Sequence, residues 1–226
     1  MLSVRKVVFM WDKLKEQLNL LKLEKKKLCL ITNSDKFLSK DDFLDAIASA
    51  LQGGVEIVLF REKNFPDNVK VELGRKIRAL CDEFGATFIV NDRPDIAMIV
   101  EADGVHLGQD DISTIDARCV LGKNAIIGKT CTTTDEIIEA VNEGVDYVNF
   151  GPFSSKGKSD FSIEDEAILW VAENIDIPVF IFGEITPKNL PKLVSLGTNR
   201  IAISESLIHS KVPEHTAREI LNSLPH

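Results

Sequence analysis

What this 226-residue chain has little of narrows it first. No apolar stretch approaches the roughly 20 residues that a membrane-spanning helix needs. The N-terminus lacks the apolar core of a secretory signal. A soluble, cytoplasmic protein with no membrane partner is the expectation. Positive charge is in deficit: 27 Lys and Arg stand against 35 Asp and Glu, a net charge of −8. That balance argues against nucleic acid as a partner, because a polyanion needs a cationic surface. Paired cysteines are also missing. Cys29, Cys81, Cys119 and Cys131 are scattered, with no CxxC among them. They read as reduced thiols, not as a disulfide frame or a zinc site. Cys131 alone falls near the functional rim described below, and without a neighbouring base it reads as structural.

What is present is an alternation. Short apolar runs at Leu28–Thr32, Glu56–Phe60, Thr87–Val90, Gly104–His106, Ala125–Gly128, Tyr147–Phe150, Val179–Phe182 and Arg200–Ile203 read as parallel strands. Such strands are covered on both faces and need no polar alternation. Between them lie segments of helical period. Asp42–Leu51 carries Phe43, Ile47 and Ala50 on one face, and Asn68–Phe84 carries Leu73, Ile77, Leu80 and Phe84. Asp135–Glu143, Ile163–Asn174 and Pro187–Leu196 repeat the pattern. Ser39, followed by Asp41 and Asp42, predicts a helix N-cap. Thr186-Pro187 predicts another, with Pro at the first helical position. Gly53, Gly85, Gly144 and Gly197 stand where helices should stop. The alternation predicts an α/β fold, a (β/α)8 TIM barrel built as a single domain from residues 28–226. An open doubly wound sheet would show the same alternation. Residues 1–27 lie outside the count. Trp11, Leu14, Leu18 and Leu21 share one face there, which predicts an extra N-terminal helix that closes the barrel bottom or meets a second copy in a homodimer.

Three of the strand runs stop at polar clusters, and ligands of parallel α/β proteins sit past the carboxyl ends of strands. Val55–Phe60 ends at Arg61-Glu62-Lys63, Thr87–Val90 ends at Asn91-Asp92-Arg93, and Gly104–His106 leads into Leu107-Gly108-Gln109-Asp110-Asp111. Arg61 and Lys63 are separated by one residue. If strand geometry continues, both point the same way and clamp a diphosphate; otherwise they are two surface charges. Asp92 and Asp111 are two carboxylates from different loops, sufficient for Mg²⁺, which keeps waters and takes substrate oxygens. The alternative for Asp92 is to cap a helix beginning near Pro94. Asn91 can donate its amide to a phosphate oxygen. Gly108 lets the backbone pass close to a ligand. His106, at the inward end of its strand, reads as a hydrogen-bonded core residue. After the sixth strand, Gly151–Lys158 offers small hydroxyls and two lysines that can fold over an anion.

Together, REK at Arg61–Lys63, NDR at Asn91–Arg93, DGVHLGQDD at Asp103–Asp111 and DYVNFGP at Asp146–Pro152 resemble the thiamine phosphate synthase family and its TenI-like relatives, from Leu28 to about Ser206. The resemblance implies a transferase of thiamine biosynthesis that joins hydroxymethylpyrimidine diphosphate to a thiazole phosphate with release of pyrophosphate. In such an enzyme Arg61 and Lys63 would grip the diphosphate, and Lys158 would meet the leaving group. Asp92 and Asp111 would hold Mg²⁺. Asn91, Gly108, Gln109, Thr130, Ser155 and Gly183 would contact the phosphorylated small-molecule substrates. Several positions depart from the family pattern. Leu59 stands where a Gln usually reads the pyrimidine. The usual Gly-Gly after strand seven is Gly183-Glu184, and the usual Ser after strand eight falls near Glu205. The histidine of the tautomerase branch matches about Thr132. Unpaired carboxylates at 184 and 205 would repel a phosphate, unless they meet a cation such as Lys156 or Lys158. The departures imply an alternative, a TenI-like paralogue with an altered substrate or a non-catalytic ligand-binding or regulatory role. A phosphosugar isomerase barrel is a third reading, which those glutamates oppose.

Overall fold

A computed structural model describes residues 23–154 and 162–225. The eight apolar runs form β1 (Leu28–Ile31), β2 (Ile57–Phe60), β3 (Thr87–Asn91), β4 (Gly104–Leu107), β5 (Ile126–Cys131), β6 (Tyr147–Phe153), β7 (Val179–Gly183) and β8 (Ile201–Ile203). Each strand pairs in parallel with the next, and β8 returns to β1 with Leu28 opposite Ile201, so the sheet closes into a barrel. Closure, which alternation alone left open, decides for the (β/α)8 barrel over the doubly wound sheet. Around it lie α1 (Lys40–Gln52), α2 (Asp67–Phe84), α3 (Pro94–Ile99), α4 (Thr114–Leu121), α5 (Thr134–Asn142), α6 (Asp165–Asn174), α7 (Leu190–Ser195), α8 (Glu205–Ile208) and α9 (Pro213–Ser223). None is long and apolar enough to cross a membrane.

Local chemistry explains most boundaries. Ser39 caps α1 by accepting from the Asp42 amide at 3.1 Å, as its sequence setting predicts. The Thr186-Pro187 start is corrected. Asn189 bonds the Thr186 amide through its side chain and donates to the Glu184 carbonyl. This makes a tight turn of residues 187–189, so α7 begins at Leu190.

Alternation along the strands divides the core in two. Outward residues such as Leu28, Leu30, Val58, Phe60, Phe88 and Val90 pack beneath the helices. Inward residues Cys29, Ile57, Leu59, Ile89, Ile126, Tyr147, Phe180 and Ala202 fill the barrel. Gly128 makes that filling possible: a Cβ there would lie 2.2 Å from the ring of Tyr147. Leu23, fully buried, joins the inner cluster from below. Lys26 Nζ donates to the Glu56 carbonyl at 2.9 Å and to Thr87 Oγ1 at 2.6 Å. The segment entering β1 therefore closes the barrel bottom. The apolar face at Trp11, Leu14, Leu18 and Leu21 lies outside the described residues.

Cys29, Cys81 and Cys131 are buried and unpaired. Burial pushes each thiol up to about 12, so all three stay protonated and inert. Cys131, the last residue of β5, packs in the outer core beneath the helices and does not line the cavity.

Candidate active site

Above the filled layer the inward side chains stop meeting. Ile31, Leu59, Asn91, His106, Thr130, Asn149, Phe182 and Ser204 enclose a cavity of about 340 Å³ at the carboxyl end of the barrel, with Arg61 on its edge. That volume suits a small organic ligand. The walls are apolar at Ile31, Leu59 and Phe182. His106 is held from both sides, with Nδ1 3.0 Å from the Tyr147 hydroxyl and Nε2 2.8 Å from Thr130 Oγ1. Burial lowers its pKa to about 3, so the imidazole is neutral. The hydrogen-bonded core role read from sequence is the one observed, although the ring also lines the cavity.

The charged residues gather on the β2–β4 side. Asp92 follows β3 with φ 64°, a left-handed conformation tolerated by Asp and uncommon for other side chains. Its amide donates to the His106 carbonyl at 2.8 Å, which turns the carboxylate toward the neighbouring loops. Lys63 Nζ lies 3.6 Å from Asp92 Oδ2. Asp111 lies within hydrogen-bond reach on the other side. Burial and then the Asp111 carboxylate raise the Asp92 pKa, against the pull of Lys63 and Arg61. Asp111 is held in turn by the Gly108 amide, which donates to its Oδ2 at 2.6 Å. Asp92 does not cap α3, whose N-cap is Arg93. Arg93 is drawn away by Asp67 at 2.9 Å and Asp95 at 2.6 Å. Arg61 and Lys63 stay at this rim, with Lys70 in the same groove. β2 ends at Phe60, yet both still line one groove together with Asn91 and Asp92. The Arg61 guanidinium has no hydrogen-bond or ion-pair partner among the described residues.

Glu62 lies between the two cations, and the sequence alone does not show its role. It accepts from Thr32 Oγ1 at 2.7 Å, Ser34 Oγ at 2.6 Å and the Ser34 amide at 3.2 Å. Thr32 Oγ1 also accepts from the Arg61 amide at 2.9 Å. This network fixes the backbone that carries Arg61. Burial raises the Glu62 pKa, with the Ser34 and Thr32 hydrogen bonds opposing.

The other predicted contacts distribute as follows. Gln109 Nε2 donates to the Thr130 carbonyl at 2.7 Å and ties the β4 loop to β5. Thr132 bonds Glu136 at the start of α5 and does not line the cavity. Gly183 has φ 138°, and a Cβ there would lie 2.3 Å from the Phe153 carbonyl oxygen, so the strand approach itself requires glycine. Ser155 and Lys158 lie outside the described residues. The expectation for Glu205 changes. Its partner is Lys36, at 2.7 Å, and both side chains are 62% exposed. The Lys36 hydrogen bond lowers the Glu205 pKa. The residue after β8 that faces the cavity is Ser204, one position earlier. Glu184 accepts from Ser154 Oγ at 3.3 Å.

Known proteins are similar to this chain in sequence and in fold. The family profile described as Thiamine monophosphate synthase matches residues 28–207. A thiamine-phosphate synthase of Synechococcus sp. (strain CC9311) is 36% identical over 207 residues, which is 90% of this chain and 58% of that protein. A thiamine-phosphate synthase of Clostridium perfringens (strain 13 / Type A) is 37% identical over 201 residues, 88% of this chain and 96% of that protein. The solved structure of a thiamine phosphate pyrophosphorylase from Pyrococcus furiosus superposes with a TM-score of 0.80 at 29% identity, covering 91% of this chain and 96% of that one. The chain therefore spans under two thirds of the cyanobacterial relative and nearly all of the clostridial one.

Proposed function

The chain belongs to the thiamine monophosphate synthase family, and from that premise we propose that it joins hydroxymethylpyrimidine diphosphate to a thiazole phosphate, releasing pyrophosphate and forming thiamine phosphate. One observation carries the reading: two opposed carboxylates and two cations meet on one side of a ring-sized cavity.

The donors suit Mg²⁺. Asp92 and Asp111 are hard oxygen ligands that would hold the ion; burial, and then the Asp111 carboxylate, raise the Asp92 pKa, and a bound cation would relieve that strain. Bound there, Mg²⁺ supplies positive charge that neutralises diphosphate oxygens. Arg61 and Lys63 grip the same diphosphate, with Asn91 donating beside them. The bond between the pyrimidine methylene carbon and the diphosphate oxygen breaks, and its electron pair leaves on that oxygen. Arg61 and Lys63 stabilise the charge that develops there. Lys158 is assigned to the same leaving group. The thiazole nitrogen gives its lone pair to the methylene carbon and forms the new carbon–nitrogen bond, leaving a thiazolium cation. No proton has to move, which accords with a neutral His106 engaged on both nitrogens. The cavity walls hold the two rings in reacting contact. Gly108, Gln109, Thr130, Ser155 and Gly183 are assigned to contact with the substrates. The unpaired cysteines support a cytoplasmic setting, and a homodimer through the N-terminal segment belongs to the proposal.

A second reading, a TenI-like paralogue with an altered substrate, is favoured by Leu59 in the cavity wall and Glu184 beside Gly183. Pairing of Glu205 with Lys36 weakens it by removing one unpaired carboxylate from the β8 side. The test is pyrophosphate release by the purified protein given both precursors and Mg²⁺. The expected result is Mg²⁺-dependent release with thiamine phosphate as product, falling roughly 100-fold in Arg61→Ala. No release from folded protein would favour the paralogue.

A further inference from the structure

Asn149 lies on β6, opposite Thr130 of β5 and Phe180 of β7. It points into the barrel and lines the cavity. The residue is only 2% exposed, yet its Oδ1 is buried with no hydrogen-bond partner. Buried amides are nearly always bonded, because desolvating an unused acceptor is costly. A leucine-sized apolar residue would fill this strand position at lower cost. No group among the described residues bonds this oxygen. Ile31, Leu59 and Phe182 are apolar, both His106 nitrogens are engaged, and the Thr130 carbonyl is taken by Gln109. Asn91 and Arg61 stand where the cavity joins the charged groove.

We infer that Asn149 is a specificity-determining residue whose carboxamide reads the hydrogen-bonding edge of a heteroaromatic ring seated in the cavity. A carboxamide presents an acceptor beside a donor. Its complement is a ring edge with an amino group beside a ring nitrogen, as in an aminopyrimidine. The ring lies against the apolar walls while its diphosphate reaches Arg61 and the carboxylate pair. The inference rests on the reading of that rim as a diphosphate site.

The test is calorimetric binding, in Mg²⁺, of two probes: inorganic pyrophosphate and the aminopyrimidine diphosphate. Asn149→Leu is expected to weaken the aminopyrimidine diphosphate about 10- to 100-fold and to leave pyrophosphate within about two-fold. Its Tm is expected to hold or rise, because the orphaned acceptor is gone. Asn149→Ala, which cannot clash with its neighbours, should show the same selectivity. A merely structural residue predicts a lowered Tm with both probes weakened together; that result, or unchanged affinity for both, overturns the inference. A wild-type protein that binds neither probe overturns the diphosphate reading itself, and is distinguishable from a wild type that binds both while the variants fail to discriminate.

Discussion

The two sides of the barrel mouth treat charge in opposite ways. On the β2–β4 side, Asp92 is held in a left-handed conformation facing Asp111, with Lys63 at 3.6 Å, and the Arg61 guanidinium has no hydrogen bond or ion pair among the described residues. Left alone, like charges in partial burial are unfavourable. On the β7–β8 side, Glu205 turns out to solvent and pairs with Lys36, and Gly183 lets the backbone close against Phe153. The Glu205 charge there is compensated. The contrast teaches that net charge near a pocket says little. A cluster of like charges in partial burial is the feature that points to a charged ligand, and the β8 side brings the neutral Ser204 to the cavity instead.

The largest expected effect breaks the contrast at its centre. Asp92→Asn keeps a side chain that tolerates φ 64° and removes one charge of the pair. Mg²⁺-dependent pyrophosphate binding is expected to fall roughly 100-fold while Tm holds or rises, measured by calorimetry and thermal melts. A Tm loss without a binding loss would make Asp92 a structural residue.

The cavity floor should respond to pH through His106. The unfolded His106 imidazole takes up a proton near its ordinary pKa of about 6.5, whereas the folded one resists until about 3. The unfolded state therefore binds more protons between these values. Stability that is complete above about pH 6.5 declines as pH falls toward 3, by up to about 1.4 kcal/mol per unit. His106→Gln should flatten that slope in urea denaturation between pH 7 and 5. An unchanged slope would mean that other groups set it.

The smallest effect is expected on the compensated side. Glu205→Gln and Lys36→Met should each change stability by less than about 0.5 kcal/mol, because exposed ion pairs contribute little. Pyrophosphate affinity should stay within about two-fold. A large loss of affinity in either variant would erase the distinction between the two sides.

Much of this was legible in the chain. Parallel strands buried on both faces announce themselves as apolar runs, so all eight were visible, and the polar clusters marked their carboxyl ends. Arg61, Asn91, Asp92 and Asp111 do come together, while Ser155 and Lys158 lie outside the described residues. The misses have physical causes. Asn149 sits inside an apolar run, and only barrel closure shows that its side faces a cavity. Glu62 was hidden between two cations because its partners, Thr32 and Ser34, come from another strand end. Ser204 and Glu205 differ by one position, and a one-residue shift at a strand end exchanges a cavity-lining residue for an exposed one. Asn189 displaced Thr186 as the residue organising the start of α7, since its amide both donates and accepts within one turn.

The central claim is that the imbalance at Asp92 and Asp111 is a site for Mg²⁺ with a diphosphate. The most direct measurement is the affinity of the wild-type protein for inorganic pyrophosphate, titrated with and without Mg²⁺ and repeated toward acid pH. The account predicts strong dependence on Mg²⁺, and weakening that sets in above the ordinary aspartate range, because Asp92 must lose a proton it holds more tightly than usual. Affinity that is indifferent to Mg²⁺, or no binding by folded protein, would contradict it.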